Sequence, residues 1–373
     1  MVFCQASMTD SVASISPSVA QRLLRGSFWT VLGTGAGRLL SLAAMVLAAR
    51  NLGAEGFGSL GLVQSTLGLF GMFAGAALGV TATRFIAATC RNDPERTGRI
   101  VGLVSGSALI SALLFGIAIV TLAPWISRTI LASDNLASAV ALGAILVGMG
   151  VFRGVQDATL AGLEAFRRIA VLRFVEGGAA LILVPLLAAQ FGPAGGIAAL
   201  ATGQAIAFVP GLRVTKHELI NRNVSLSWRG ALAEWRLLRD FSAPSLLANS
   251  IATPILWICT VMLSRTPNGL VELGVYNGAY QWHGPLVFAP MAIASVSLPI
   301  LAQACAENDR AAFHRLFLRV LSLGVVIALL PALGITALSS QIMEMYGVEF
   351  RSGELVLILL SLAAPLHVAS KIA

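Results

Sequence analysis

The chain has 373 residues, of which 57% are hydrophobic and 11% charged, and its net charge is +8. Soluble domains carry about 25% charged residues, and a water-soluble fold of this length would lack the polar surface to cover its core. The composition excludes that class and points to an all-α integral membrane protein, whose apolar side chains face lipid and whose spans each need about 20 residues.

Residues 1–27 form a polar, Ser-rich N-terminal segment with no apolar stretch before Phe28, so no secretory signal is read there. Met8 is an alternative start to Met1. Ser18 to Arg25 has the spacing of an amphipathic helix and is expected to lie on the membrane surface. Apolar runs then predict about ten spans, at 28–49, 57–82, 100–122, 136–158, 174–191, 195–212, 241–263, 275–299, 317–338 and 353–372. Helix is the only sensible backbone for them, because each amide must be satisfied within its own segment. Pro185, Pro254, Pro290 and Pro331 fall inside these runs and are expected to kink them.

The basic residues set an expected orientation. One set of alternate loops holds Arg22 and Arg25, four arginines from Arg84 to Arg99, three from Arg167 to Arg173, six basic residues from Arg213 to Arg239, and three from Arg310 to Arg319. The opposite loops hold only Arg50, Arg128, Arg265 and Arg351. The positive-inside rule then puts the rich side and the N-terminus in the cytoplasm, which explains the net charge without nucleic-acid binding. Cys4, Cys90, Cys259 and Cys305 show no metal-ligand spacing, so no metal or other cofactor is expected.

The two halves resemble each other weakly. Leu52-Gly53-Ala54-Glu55-Gly56-Phe57-Gly58 precedes the second span, and Leu273 to Tyr280 opens the eighth; Cys90 to Asp93 and Cys305 to Asp309 follow at nearly equal offsets. This predicts a parallel repeat, with a substrate site between the halves near mid-membrane. The expected organisation is an N-lobe over 28–212 (spans one to six), a cytoplasmic linker over 213–240 and a C-lobe over 241–373 (spans seven to ten).

Arg38 stands at the middle of the first span, after Gly33-Thr34-Gly35-Ala36-Gly37. A charge there costs roughly 2.5–3.5 kcal/mol on the insertion scale, so it marks either a functional cavity or a bond to carbonyls or an acid between packed helices. The small residues before it admit a second helix at close range. Arg153 and Asp157 lie four apart near the end of the fourth span and are expected to pair with each other. Glu176 is within reach of Arg173 or of interfacial water. Gln64, Asn249 and Gln281-Trp282-His283 offer donors, acceptors and an aromatic face to a sugar, or else hydrogen bonds between helices. No carboxylate sits at the centre of a span, which disfavours ion-coupled antiport of cations, whereas arginine suits phosphate. Without a Walker A, HExxH or GxSxG motif, no catalytic residues and no enzymatic activity are expected.

At the level of motifs the chain resembles the polysaccharide-export branch, which contains O-antigen and teichuronic acid flippases, of the multidrug/oligosaccharidyl-lipid/polysaccharide exporter superfamily. Residues 52–58 resemble its LGxxxFG signature, and Arg84-Phe85-Ile86-Ala87 the end of its second span. Residues 162–167 are similar to its segment between spans four and five, residues 274–280 to its GxYxxAY motif, and 346–350 to its YGxxF pattern. The resemblance implies two helical lobes forming a V around a cationic cavity, through which an undecaprenyl-diphosphate-linked oligosaccharide crosses the bacterial cytoplasmic membrane by alternating access while its tail stays in the lipid. It implies that Arg38, Arg84 and Arg265 contact the diphosphate, and that membrane lipids, a polysaccharide polymerase and glycosyltransferases are partners. Family members have more spans than this chain, so the second lobe is expected to be incomplete, as in a fragment or a truncated product. Two other readings stay open, a secondary drug antiporter of the same superfamily and a non-transporting membrane protein.

Overall fold

The computed structural model describes residues 17–75, 78–228, 230–242, 246, 252–291, 294 and 310–372, and among them every regular element is helical. Helix α1 (Pro17–Gly75) spans two of the expected apolar runs without a loop between them. The chain reverses at Gly53 alone, with φ 68° and ψ 177°, a conformation open to glycine and costly for a residue with a Cβ. After α2 (Leu78–Thr89), α3 (Pro94–Trp125) begins with Asp93 accepting the Arg96 N–H at 2.9 Å and with Pro94 in the first turn, where its missing N–H costs nothing. A π-helical turn, Ile126–Ile130, ends that span. Helix α4 (Ala137–Gly162) leads into α5 (Phe166–Ile220), which is bent at Gly192.

Among the described residues, six helical stretches are long and apolar enough to cross a membrane. Because α1 and α5 are each bent at a glycine, those six carry the expected spans one to six, nine and ten. Helix α6 (Ala252–Ser264) falls on the seventh. The eighth is not one helix: α7 (Gly269–Tyr280) ends in a turn at Gln281 and Trp282, and a further helix, α8, is described over 283–291. Pro285 accounts for the break, since its ring displaces the carbonyl of residue 281 and it brings no N–H of its own. By contrast, Pro185 and Pro331 are carried inside helices, and the one non-helical residue in α5 is Gly192. Helix α9 (Arg310–Ala337), the short α10 (Ser339–Glu344) and α11 (Glu354–Ile372) complete the chain.

Helix α5 runs on to Ile220, so Arg213 and Lys216 sit on its last turns. The segment after it lies along α3: Glu234 takes Arg96 at 3.1 and 3.2 Å and Arg99 at 3.8 Å, and the Ser227 N–H donates to the Gly98 carbonyl at 3.3 Å. Around this frame α1 packs on α5, α4 on α3 and α5, α7 on α1, and α9 on α11.

At the Gly53 end the first and second halves of the chain close on each other. Helices α1 and α7 touch backbone to backbone there. A Cβ on Gly58 would lie 1.8 Å from the Leu270 carbonyl oxygen, and one on Gly274 2.0 Å from that of Ala54. Phe57, Tyr346 and Phe350 are fully buried beside this crossing, with ring centroids 5.6–6.3 Å apart. Glu349 Oε2 accepts the Ala54 N–H at 2.8 Å, which satisfies an orphan donor where the helix restarts after Gly53, and Arg50 Nε donates to the Met345 carbonyl at 2.5 Å. The three motifs at 52–58, 274–280 and 346–350 are thus one seam in space.

Candidate functional site

Arg38 is held away from that seam, where α1 meets α5 and α8. The small residues before it receive α5 directly: a Cβ on Gly37 would lie 2.6 Å from the Arg173 carbonyl oxygen, and one on Gly177 2.5 Å from that of Gly37. Such contact leaves no room for lipid on this side of α1 and turns the Arg38 side chain toward the helices opposite. Its guanidinium lies 4.5 Å from the centroid of the Phe288 ring, a cation–π contact. The side chain is exposed and, among the described residues, has no carboxylate partner.

Two adjoining cavities open on Arg38. The larger, about 400 Å³, is lined by Arg38, Ser41, Leu42 and Met45 of α1, by Gln64 and Leu200, and by Gln281, Gly284 and Pro285. The last three come from the break between α7 and α8, and irregular backbone at membrane depth is tolerated where it lines a cavity. The smaller, about 160 Å³, is lined by Thr34, Gly37, Arg38, Ser41, Arg173, Glu176 and Gly177. Gln64 and Leu200 also border a third space of about 390 Å³, which is walled by glycines of α1, α2 and α4 and by Gln204.

Behind Arg38 lies a cluster of four charges. Arg153 reaches Asp157 at 3.2 Å, as the spacing of four predicts, but the pair is not closed on itself. Arg173 meets Asp157 at 2.6 Å, and both arginines approach Glu176 at 3.4 Å. Gln156 accepts from Arg153 Nη1 at 2.5 Å. Arg153 is 2% exposed, and this tetrad, neutral in sum, is how its charge is tolerated inside the helix bundle. Arg38 adds a positive charge on the cavity side that no carboxylate among the described residues offsets.

The residues singled out from the sequence do not all meet. Arg38, Gln64 and Gln281 share the larger cavity. His283 joins another group, stacked on Tyr280 and 3.2 Å from His367 Nδ1 through its Nε2. Arg265 is committed to the end of the third span: its Nη2 donates to the Ile130 carbonyl at 3.0 Å and to that of Thr129 at 2.5 Å, which satisfies acceptors left open by the π-helical turn. Arg84 is exposed on α2 with its guanidinium 5.7 Å from the Phe85 ring, and it lines none of these cavities. Asn249 lies outside the described residues. Ser41, Arg173 and Phe288 border Arg38 without having been expected to. The spacing of Arg173 and Glu176, three apart, was the available signal for two of the tetrad's members.

These helices define a class: the fold is that of the transporters of the multidrug and toxin extrusion type. An inward-facing multidrug resistance MATE family transporter of the MOP superfamily superposes with a TM-score of 0.68 at 18% identity, covering 94% of this chain and 85% of that one. The MATE multidrug transporter DinF-BH gives 0.65 at 14% identity, covering 98% and 88%. Within that fold the chain belongs to the polysaccharide biosynthesis protein family, whose pattern it matches over residues 23–305. It is 27% identical over 285 residues to the EPS I polysaccharide export inner membrane protein EpsE of Ralstonia nicotianae, and the match covers 74% of this chain and 63% of that protein. The protein of the same name from Ralstonia solanacearum is 34% identical over 76 residues, 20% of this chain and 17% of that one. The chain is a multi-pass membrane protein of this family.

Proposed function

We propose that the chain moves a lipid-diphosphate-linked oligosaccharide, a polysaccharide precursor, across the bacterial cytoplasmic membrane, with its basic loops and N-terminus in the cytoplasm. The observation that carries the reading is Arg38, a cation without a carboxylate partner among the described residues, facing a cavity of about 400 Å³ between helices. An arginine presented to a cavity in this way attracts an anion and binds phosphate oxygens bidentately. Gln64, Gln281 and Ser41 around it supply the donors and acceptors that sugar hydroxyls require. An apolar tail stays in lipid while only the charged head enters. Membership of the polysaccharide biosynthesis family agrees with this cargo, as does the relative named for polysaccharide export from an inner membrane.

In this reading residues 28–212 and 241–373 act as two lobes, joined by the linker at 213–240. The lobes part at the basic end while the Gly53 seam is closed, and the seam opens in the other half of the cycle. A polysaccharide polymerase and glycosyltransferases are the partners that would consume and supply the cargo. The test is Arg38→Ala in a strain that depends on this protein: surface polysaccharide is lost while the amount of protein in the membrane is unchanged. Normal polysaccharide output from that variant overturns the reading.

A further inference from the structure

A separate apolar slot of about 510 Å³ opens on the outside of the first half, between α3, α4 and the last turns of α5. Val101, Leu109, Phe152, Val155, Phe208 and Leu212 form its walls. Leu109, Leu212, Leu226 and Trp228 at its mouth are 46%, 51%, 46% and 57% exposed, so the opening faces the bilayer rather than the interior. Its size is within the roughly 300–1,000 Å³ of small-molecule sites.

One end of the slot is polar. Lys216 lines it, on the basic end of α5, and has no carboxylate partner among the described residues. Glu218, two residues further along α5, is paired with Arg168 at 3.4 Å, and Glu234 of the segment that follows is paired with Arg96 at 3.1 Å. Thr215 Oγ1, also in the lining, is buried with no hydrogen-bond partner. An apolar groove open to lipid, closed at interface level by a free ammonium, an open hydroxyl and a tryptophan, has the chemistry of an amphiphile site. The headgroup such a site takes is anionic.

We propose that this slot binds an anionic phospholipid of the surrounding membrane, one acyl chain lying between α3, α4 and α5 and the phosphate on Lys216. The site is distinct from the Arg38 cavity, with which it shares no lining residue. Gln156 nevertheless forms part of its wall and accepts from Arg153 of the charged tetrad, so the bound lipid would sit one side chain from the cluster behind Arg38.

The test uses the full chain purified in detergent and native mass spectrometry with equal amounts of phosphatidylglycerol and phosphatidylcholine of the same acyl chains. The expected result is preferential retention of phosphatidylglycerol. Lys216→Gln lowers that retention about fivefold, as expected for one cation at a lipid phosphate, and leaves phosphatidylcholine unaffected. Arg213→Gln, a cation on the same end but outside the slot, changes neither. Ser105→Phe, which fills the slot, removes the preference; where that variant does not fold, the lysine and arginine variants decide alone. Equal retention of both lipids overturns the proposal, as does an equal effect of the two cation substitutions, or displacement of phosphatidylglycerol by a polyprenyl phosphate present in trace.

Discussion

The Gly53 seam and the Arg38 cavity both lie between α1 and the α7–α8 pair, with α5 as a further wall of the cavity, yet they are opposites. At the seam the helices meet through glycine and backbone, with Gly58 over the Leu270 carbonyl and three aromatic rings filling the flank. Further along, the α7–α8 break replaces contact with space, and side chains of α1 face it with a charge and polar groups. The seam is specified by shape, which any added atom disturbs. The cavity is specified by charge held in place by packing behind it, and its front can change without disturbing the fold. Substitutions at the two places therefore separate stability from function.

The largest effect is expected behind the cavity. Arg153→Ala leaves Asp157 and Glu176 to share Arg173 alone, and breaking a buried pair by removing one partner costs about 3–5 kcal/mol. Thermal unfolding of the purified protein in detergent should show the loss, and adding Asp157→Asn should recover part of it. An unchanged melting temperature would mean that the tetrad does not hold α4 to α5. Next comes the seam itself. Gly58→Ala sets a methyl against a backbone carbonyl that has no rotamer to yield, and overpacking of this kind costs about 1–3 kcal/mol. Combined with Gly274→Ala, its effect should be non-additive, since both report on one crossing. Additive losses would place the two glycines in independent contacts. A smaller effect is expected for Glu349→Ala, which returns the Ala54 N–H to an unsatisfied helix start for about 1 kcal/mol, the net worth of a typical hydrogen bond.

The same contrast explains what could be read from the sequence. The all-helical membrane fold and the positions of its spans follow from apolar run length, a local property. Gly53 and the motifs around residues 52, 274 and 346 stand out as small or aromatic residues at span boundaries, but that they form one seam depends on how distant helices cross. Arg38, Gln64 and Gln281 were legible because a polar side chain inside a span is conspicuous by itself. Arg173 was not, since counting loop charges puts it at a membrane edge. It reaches the cavity because its own carbonyl packs on Gly37, a register between two helices that no spacing within either one encodes. The partners of Arg265 were hidden for a related reason: they are carbonyls of a π-helical turn some 135 residues away, and nothing in the order of side chains announces that turn.

Arg38 itself should show the smallest change in stability. Among the described residues it has no carboxylate to abandon, so Arg38→Ala leaves no orphaned charge there. What it loses is one cation–π contact with Phe288, worth about 0.5–1 kcal/mol where the cation stays accessible to water. What it gains is release from Arg173, a like charge across the smaller cavity, and from the cost of keeping an unpaired guanidinium within a span. The two sides nearly cancel, so the melting temperature in detergent should match that of the unsubstituted protein. An Arg38→Ala variant that unfolded as readily as Arg153→Ala would make Arg38 a structural cation of the helix bundle, and its loss of transport would then say nothing about an anion in the cavity.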